Sequence, residues 1–326
     1  MLQFSRRRIL LSAATAGAVF GLNKRIEIIP SALAQGTPPT PLNPKGQQFF
    51  KFKVGDIEVT QVFEGELKRP HDANFIKNAT TEDTKASLRA AGLPDDGLPN
   101  VYTVTIAKIG GKNIMFDSGN GEGGAPGTNK LGENMKAAGI EKKDIGAIVI
   151  THFHPDHIFG LMTKANEQVY GDIEILVPEV EYKYWTDPSV IDKLPPARQG
   201  LAKRVQASLP TWKNIKQYAA DKDVMPGIRA VPTYGHTPGH TSMLLSSGNQ
   251  TLFVLADVTN VPAYNLRNPG WHLSFDQDAQ MAEASRRKTF DRVVADKTLC
   301  SGYHWGMPGA GTVQKDGNGY ALVPIA

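Results

Sequence analysis

Thr151-His152-Phe153-His154-Pro155-Asp156-His157 is the stretch on which the reading of this chain turns. Directly upstream, Ile145–Ile150 is an apolar β-type run, so these residues leave the end of a buried strand. Imidazole and carboxylate together suit zinc, and also iron or manganese. Side chains alternate along extended backbone, which puts His152 and His154 on one side. A turn at Pro155 can then aim Asp156 and His157 at a second point nearby. The chain has only 8 histidines. Three of them in so short a stretch argue against a polar loop that is His-rich by accident.

Further along, Gly235-His236-Thr237-Pro238-Gly239-His240 sets glycine on both sides of His236, where the backbone can turn sharply and approach closely. One of its two histidines should be a ligand. His240 begins the next strand, where packing or a hydrogen bond would account for it. Asp257 closes the apolar run Thr251–Ala256. A buried carboxylate needs a partner, and beside these histidines the better reading is a bridge between two cations. His304 again follows a strand and a glycine, in Ser301-Gly302-Tyr303-His304-Trp305. Taken singly, Asp257 would read as a turn residue and His304 as structural.

Around these points the chain reads as strands with helices interspersed. Phe50–Val54 and Ile57–Phe63 flank Gly55-Asp56, and Val101–Ile109 and Lys112–Phe116 flank Gly110-Gly111, two hairpin signals. Thr241–Ser246 and Thr251–Ala256 flank Gly248-Asn249 in the same way. Ile173–Val177, Ile228–Pro232, Lys297–Ser301 and Tyr320–Pro324 read as further strands. Helices are expected near Thr84–Ala91, over Lys130–Ala138, over Glu179–Trp185, between Pro196 and Lys216, and over Asp278–Asp296. Each candidate ligand therefore lies just after a strand. Cys300 is the only cysteine, so no disulfide within the chain is available, and it reads as a small buried hydrophobe.

Residues 1–34 read as a cleavable export signal: Arg6-Arg7-Arg8, an apolar run from Ile9 to Leu22, then Ala32-Leu33-Ala34. Ser5-Arg6-Arg7-Arg8-Ile9-Leu10 resembles the twin-arginine motif of proteins exported already folded. The run is too short and too rich in alanine and glycine for a stable membrane anchor. Cleavage near Ala34 would leave a periplasmic or secreted protein. Residues 35–47, with Pro38, Pro39, Pro41 and Pro44, read as an unstructured lead-in, and 48–326 as one domain. Five basic residues against Glu27 in the leader account for the whole net charge of +4. The body is neutral, which argues against a nucleic-acid partner and for a small-molecule one. A homodimer stays open.

The set His152-x-His154-x-Asp156-His157, then Gly235-His236, Asp257 and His304, resembles the metallo-β-lactamase superfamily in order and approximate spacing across residues 48–326. Asp117-Ser118-Gly119 resembles that family's Asp-Thr-Gly element, with serine for threonine. The resemblance implies an α+β fold, an αββα sandwich with a dinuclear metal site at the sheet edge. It implies that His152, His154 and His236 hold one ion, that Asp156, His157 and His304 hold the other, and that Asp257 bridges them. Asp117 would then orient a ligand from behind. Within the superfamily the chain is most similar to the secreted methyl parathion hydrolase group, which places Trp185 at the pocket mouth. It departs from that group in the glycine-rich stretch Gly119–Gly127, where the group has a pocket phenylalanine.

Two divalent ions, zinc first with manganese, iron or cobalt as alternatives, can hold a bridging hydroxide at neutral pH. The expected reaction is hydrolysis of an ester, lactone or phosphotriester, with Asp156 and Asp257 orienting the nucleophile or taking up its proton. Quorum-sensing lactonases of the superfamily often carry a tyrosine where this chain has Asn260, which argues against acyl-homoserine lactones in particular. An iron oxidoreductase of the same fold would use one metal. A β-lactamase usually has serine or cysteine at the place of Asp257. A metal-binding protein without catalysis would fail a broad substrate screen.

Overall fold

In the computed structural model, residues 42–325 are described. The expected export leader and most of the expected lead-in lie outside the described residues. Residues 42–47, the end of that lead-in, are built into the body. Asn43 and Gln47 close a turn through bonds of 2.8 and 3.0 Å, and the Leu42 carbonyl accepts from Met307 N at 2.8 Å.

Strands β1 (Phe49–Val54) and β2 (Ile57–Arg69) turn at Gly55, where a φ of +58° suits glycine. Then follow β3 (Leu98–Ile109), β4 (Lys112–Phe116), β5 (Ile145–Val149), β6 (Glu174–Pro178) and β7 (Ile215–Tyr218). These seven form one sheet in sequence order, antiparallel up to β4 and parallel from β4 to β7. The second sheet is built from β8 (Asp223–Met225), β9 (Ile228–Pro232), β10 (Thr241–Ser247), β11 (Gln250–Ala256), β12 (Leu299–Gly302), β13 (Ala310–Asp316) and β14 (Gly319–Pro324). It too runs in sequence order, with β11 and β12 parallel and the other pairs antiparallel. The helices are α1 (Thr81–Ala90), α2 (Leu131–Ala137), α3 (Pro155–Ile158), α4 (Glu179–Thr186), α5 (Pro196–Ser208), α6 (Pro262–Asn265) and α7 (Ala279–Asp296).

The period of two along each strand sorts the apolar residues into layers. Ile114 and Phe116 of β4 face the second sheet, packing in one cluster with Ile228, Met243, Leu252 and Val254. Met115 between them faces the other way, into a cluster with Met135 of α2, Trp185 of α4 and Val205 of α5. Phe253 and Leu255 of β11 pack with Phe290 and Val293 of α7 on the far side of the second sheet. The result is helix, sheet, sheet, helix, as expected from the sequence.

Three strands escaped sequence reading. β8 is three residues long, and β13 contains Gly311, a poor strand former that β12 and β14 nonetheless hold in register. Helix between Pro196 and Lys216 ends early: α5 stops at Ser208, a tight turn carries Pro210, and Ile215 and Lys216 enter β7. Cys300 is fully buried inside β12, and burial pushes its thiol up to about 12, so it is inert. No helix among the described residues is long and apolar enough to cross a membrane.

Candidate metal centre

The site gathers at the C-terminal ends of strands: Asp117 follows β4, His152 and His154 follow β5, His236 follows β9, Asp257 follows β11 and His304 follows β12, while Asp156 and His157 lie in α3. The two sheets are tied at this end by Thr241 N, which donates to the Thr151 carbonyl at 3.0 Å. Deeper in, Ser301 of β12 takes a bond of 3.0 Å from Gln61 and one of 2.8 Å with Thr105. Backbone strain accompanies the site, since Asp117 (φ 63°) and Ala256 (φ 49°) are both non-glycine residues in the left-handed region.

The donor atoms converge as two triads joined by a third, overlapping group. His152, His154 and His236 present ring nitrogens within 4.8 Å of one another, Asp156, His157 and His304 present a carboxylate oxygen and two ring nitrogens equally close, and His152, His157 and Asp257 form the group that overlaps them. His154 Nδ1 stands 3.1 Å from His152 Nε2 and 2.9 Å from His236 Nε2. His157 Nε2 and His304 Nε2 each stand 3.5 Å from an Asp156 oxygen. Asp257 lies between the triads, with oxygens 3.3 Å from His236 Nε2, 3.3 Å from His157 Nε2 and 3.1 Å from His304 Nε2.

The opposite ring nitrogens are pinned, which fixes the direction of each lone pair. His157 Nδ1 meets Asp117 at 2.8 Å, His236 Nδ1 meets Asp276 at 2.9 Å, His304 Nδ1 meets the Val101 carbonyl at 2.9 Å, and His152 Nδ1 meets Thr151 Oγ1 at 3.1 Å. Asp117 also accepts from Thr151 N and Oγ1, both at 2.8 Å, so it is held from two sides. With Nδ1–H committed to Asp117, His157 Nε2 is an acceptor. It and Asp257 Oδ1 are buried without any hydrogen-bond partner. With the ring neutral these are two facing acceptors 3.3 Å apart, an arrangement that a cation, proton or metal, resolves. The clusters thus fit a dinuclear site for divalent metal. His240 is excluded from it: its Nδ1 meets Thr233 Oγ1 at 2.8 Å and its Nε2 accepts from Asp257 N at 3.1 Å. Burial pushes the His240 imidazole down to about 3, so it stays neutral.

Above the cluster opens a cavity of about 750 Å³. His154, Asp156, His236, Asp257 and His304 form its floor, and Tyr102, Tyr184, Leu194, Leu201 and Phe275 stand in its walls. Trp185, expected at the mouth, does not reach it. Its indole is fully buried in the core under the first sheet and donates to Glu181 Oε1 at 2.7 Å. One helical residue is a rotation of about 100°, so Tyr184 meets the cavity while the larger, more apolar Trp185 turns to the core.

Three acidic residues that sequence reading passed over organise the site. Asp276 joins His236 to the buried Arg286 at 3.2 Å. Glu181, without exposure, accepts four hydrogen bonds: Phe153 N at 2.9 Å, Trp185 Nε1 at 2.7 Å, Thr237 Oγ1 at 2.9 Å and Gly239 N at 2.7 Å. It thereby clamps the loop of His152 and His154 to the loop of His236. Gly239 is required for this approach, because a Cβ there would stand 2.2 Å from Glu181 N. Glu64, also buried, holds Asn120 and Asn129 in the loop after Asp117. None of the three lies in a local pattern that marks it. Each is separated from its main partners by tens of residues.

Residues 94–295 match the family model described as "Metallo-beta-lactamase superfamily". Among solved structures, AidC, described as a dizinc quorum-quenching lactonase in complex with a product, is similar with a TM-score of 0.76 and 26% identity. That likeness covers 85% of this chain and 97% of AidC. AbOPH, described as a hydrolase in the beta lactamase superfamily, gives a TM-score of 0.79 at 22% identity, over 86% of this chain and 98% of that one. At that identity the likeness speaks for the fold alone. Among curated proteins, an N-acyl homoserine lactonase from a Bacillus species is 25% identical over 154 residues, 47% of this chain and 54% of the relative. The chain thus spans about half the length of such curated relatives.

Proposed function

The chain belongs to the metallo-beta-lactamase superfamily, and on that premise we propose that it is a dinuclear metallo-hydrolase of esters and lactones, with phosphotriesters as secondary substrates. The observation that carries this reading is the pair of donor triads meeting at Asp257, with His157 Nε2 and Asp257 Oδ1 buried and unpartnered between them. His152, His154 and His236 would hold one ion, Asp156, His157 and His304 the other, and Asp257 both. Zinc suits this donor set best. Two such ions, when bound, supply an activated water at neutral pH and polarise the bond to be cleaved.

The chain's own residues do the rest. Asp117, Asp276 and the Val101 carbonyl hold the imidazoles in one tautomer and orientation. Asp156 has 21% side-chain exposure against 4% for Asp257, so it is the carboxylate a substrate can reach, and it would orient the attacking water. Tyr102, Tyr184, Leu194, Leu201 and Phe275 offer apolar surface to the part of the substrate beside the reacting bond. The lactonase relatives support a lactone substrate. The sequence likeness to the methyl parathion hydrolase group supports an aryl phosphotriester. The test is a screen of metal-loaded protein on aryl esters, lactones and aryl phosphotriesters, before and after chelation. Turnover of an ester or lactone that chelator abolishes and zinc restores is expected. Turnover indifferent to chelator would contradict the reading.

We further propose that residues 1–34 direct export and are removed. The intact mass of exported protein should then correspond to a start near Gln35, and an intact leader would refute this.

A further inference from the structure

Four cations line the cavity over the metal centre: Arg69 at the end of β2, Lys77 before α1, Lys193 before α5 and Arg198 in the first turn of α5. They come from separate segments of the chain. None of the four forms an ion pair among the described residues. Elsewhere on the surface, Lys68, Arg89, Lys183, Arg287 and Lys315 each sit on a carboxylate. The acidic groups of the cavity, Asp156, Asp257 and Asp276, are all engaged with histidine or arginine. No carboxylate among the described residues is therefore ion-paired with any of the four cations, and Lys193 has only the Ser189 hydroxyl at 3.3 Å.

Arg198 is the most constrained of them. It is half-buried, and its Nη2 donates to the carbonyls of Ser274 at 3.1 Å and Phe275 at 2.9 Å. Its Nε and Nη1 have no acceptor among the described residues. A guanidinium drawn partly out of water, anchored on one nitrogen and open on the others, is built to receive an anion. The apolar walls lie in the same cavity.

We propose that the substrate carries, besides the bond to be hydrolysed, a separate anionic group, a carboxylate or phosphate, which Arg198 and Arg69 bind, with Lys77 and Lys193 adding attraction at the rim. This deepens the hydrolase reading and rests on it. The cations surround a pocket of small-molecule size rather than forming a stripe along a surface, which favours a small anion over a polyanionic chain.

The test uses two p-nitrophenyl esters of hexanedioic acid, one with its second carboxyl free and one with it methylated, both releasing p-nitrophenol. The free acid should be preferred by about tenfold in kcat/KM, and the preference should shrink with added salt. Arg198→Gln and the exposed-site variant Arg69→Gln should each reduce that ratio. Equal rates on the two esters, or a ratio that survives both substitutions, would overturn the proposal. A second arm titrates the metal-loaded protein with hexanoate and hexanedioate, which share one carboxylate for the metals and differ in the other. If neither ester is turned over, the hydrolase reading rests on the wider screen, and this arm decides the anion site alone. Tighter hexanedioate binding that Arg69→Gln abolishes supports it, and equal binding overturns it. Cleavage of a single-stranded RNA oligonucleotide in preference to either ester would also overturn it.

Discussion

Replacing Glu181 by glutamine tests how the site is held together. The carboxylate takes two donors on each oxygen: Phe153 N and Trp185 Nε1 on Oε1, Thr237 Oγ1 and Gly239 N on Oε2. An amide offers one oxygen and one NH₂. If the NH₂ replaces Oε1, it faces two N–H groups that cannot turn away. If it replaces Oε2, the Thr237 hydroxyl can rotate to accept, but Gly239 N–H is left without an acceptor. The second arrangement costs less. It loses a charge-assisted bond, about 1.5–3 kcal/mol, and leaves a buried donor unsatisfied, about 1–3 kcal/mol. Against this stands relief from burying a carboxylate, which burial raises above its usual range. The net loss should be about 2–4 kcal/mol, a fall in Tm of roughly 3–7 °C for a domain of this size. Because the clamp joins the loop of His152 and His154 to that of His236, metal affinity should also fall by about 10–100-fold. Calorimetric melting and metal titration of Glu181→Gln against the unmodified protein measure both. A Tm within about 2 °C together with undiminished metal affinity would refute the clamp.

Other substitutions follow the same logic. Asp276→Ala removes the carboxylate between His236 and Arg286, leaving a guanidinium of 1% exposure unpaired. Urea melts should show a loss of about 3–5 kcal/mol, with weaker metal binding. Trp185→Ala should cost about 3–5 kcal/mol and lower turnover of aryl and aliphatic esters alike. Selective loss of aryl substrates would return Trp185 to the pocket. Burial holds the Glu64 carboxyl up to about 7, against bonds from Asn120 and Asn129 that pull it down. The folded state therefore binds this proton more tightly than the unfolded one. The contribution is full below the unfolded value of 4.5 and is lost as pH rises through about 7. Denaturant melts from pH 5 to 8 should show a decline on the order of 3 kcal/mol that Glu64→Gln removes. Parallel profiles for the two proteins would count against it.

The centre of the fold was legible because its signals are local. An apolar strand delivering His152, His154, Asp156 and His157 within one turn of chain needs no long-range information. Hairpins at Gly55, Gly110 and Gly248 announce themselves through residues that tolerate positive φ. What stayed hidden is what long-range packing decides. Glu181 meets Phe153 and Gly239 across 28 and 58 residues, and Asp276 meets His236 across 40. In the sequence both look like ordinary polar residues of a helix and a loop. Trp185 was misplaced by one helical position. Only the packing of α4 on the first sheet decides which of two adjacent aromatics faces the cavity. β13 has little strand propensity of its own and exists because two neighbours pair with it.

His152, His154, Asp156, His157, His236, Asp257 and His304 together offer donors for two ions. Elemental analysis of protein purified without chelator, alongside Asp257→Ala, tests it most directly. Close to two metal equivalents per chain are expected, more than one tetrahedral ion would explain, with loss of at least one in the variant. A single equivalent, unchanged by added zinc or manganese and retained in Asp257→Ala, would contradict it.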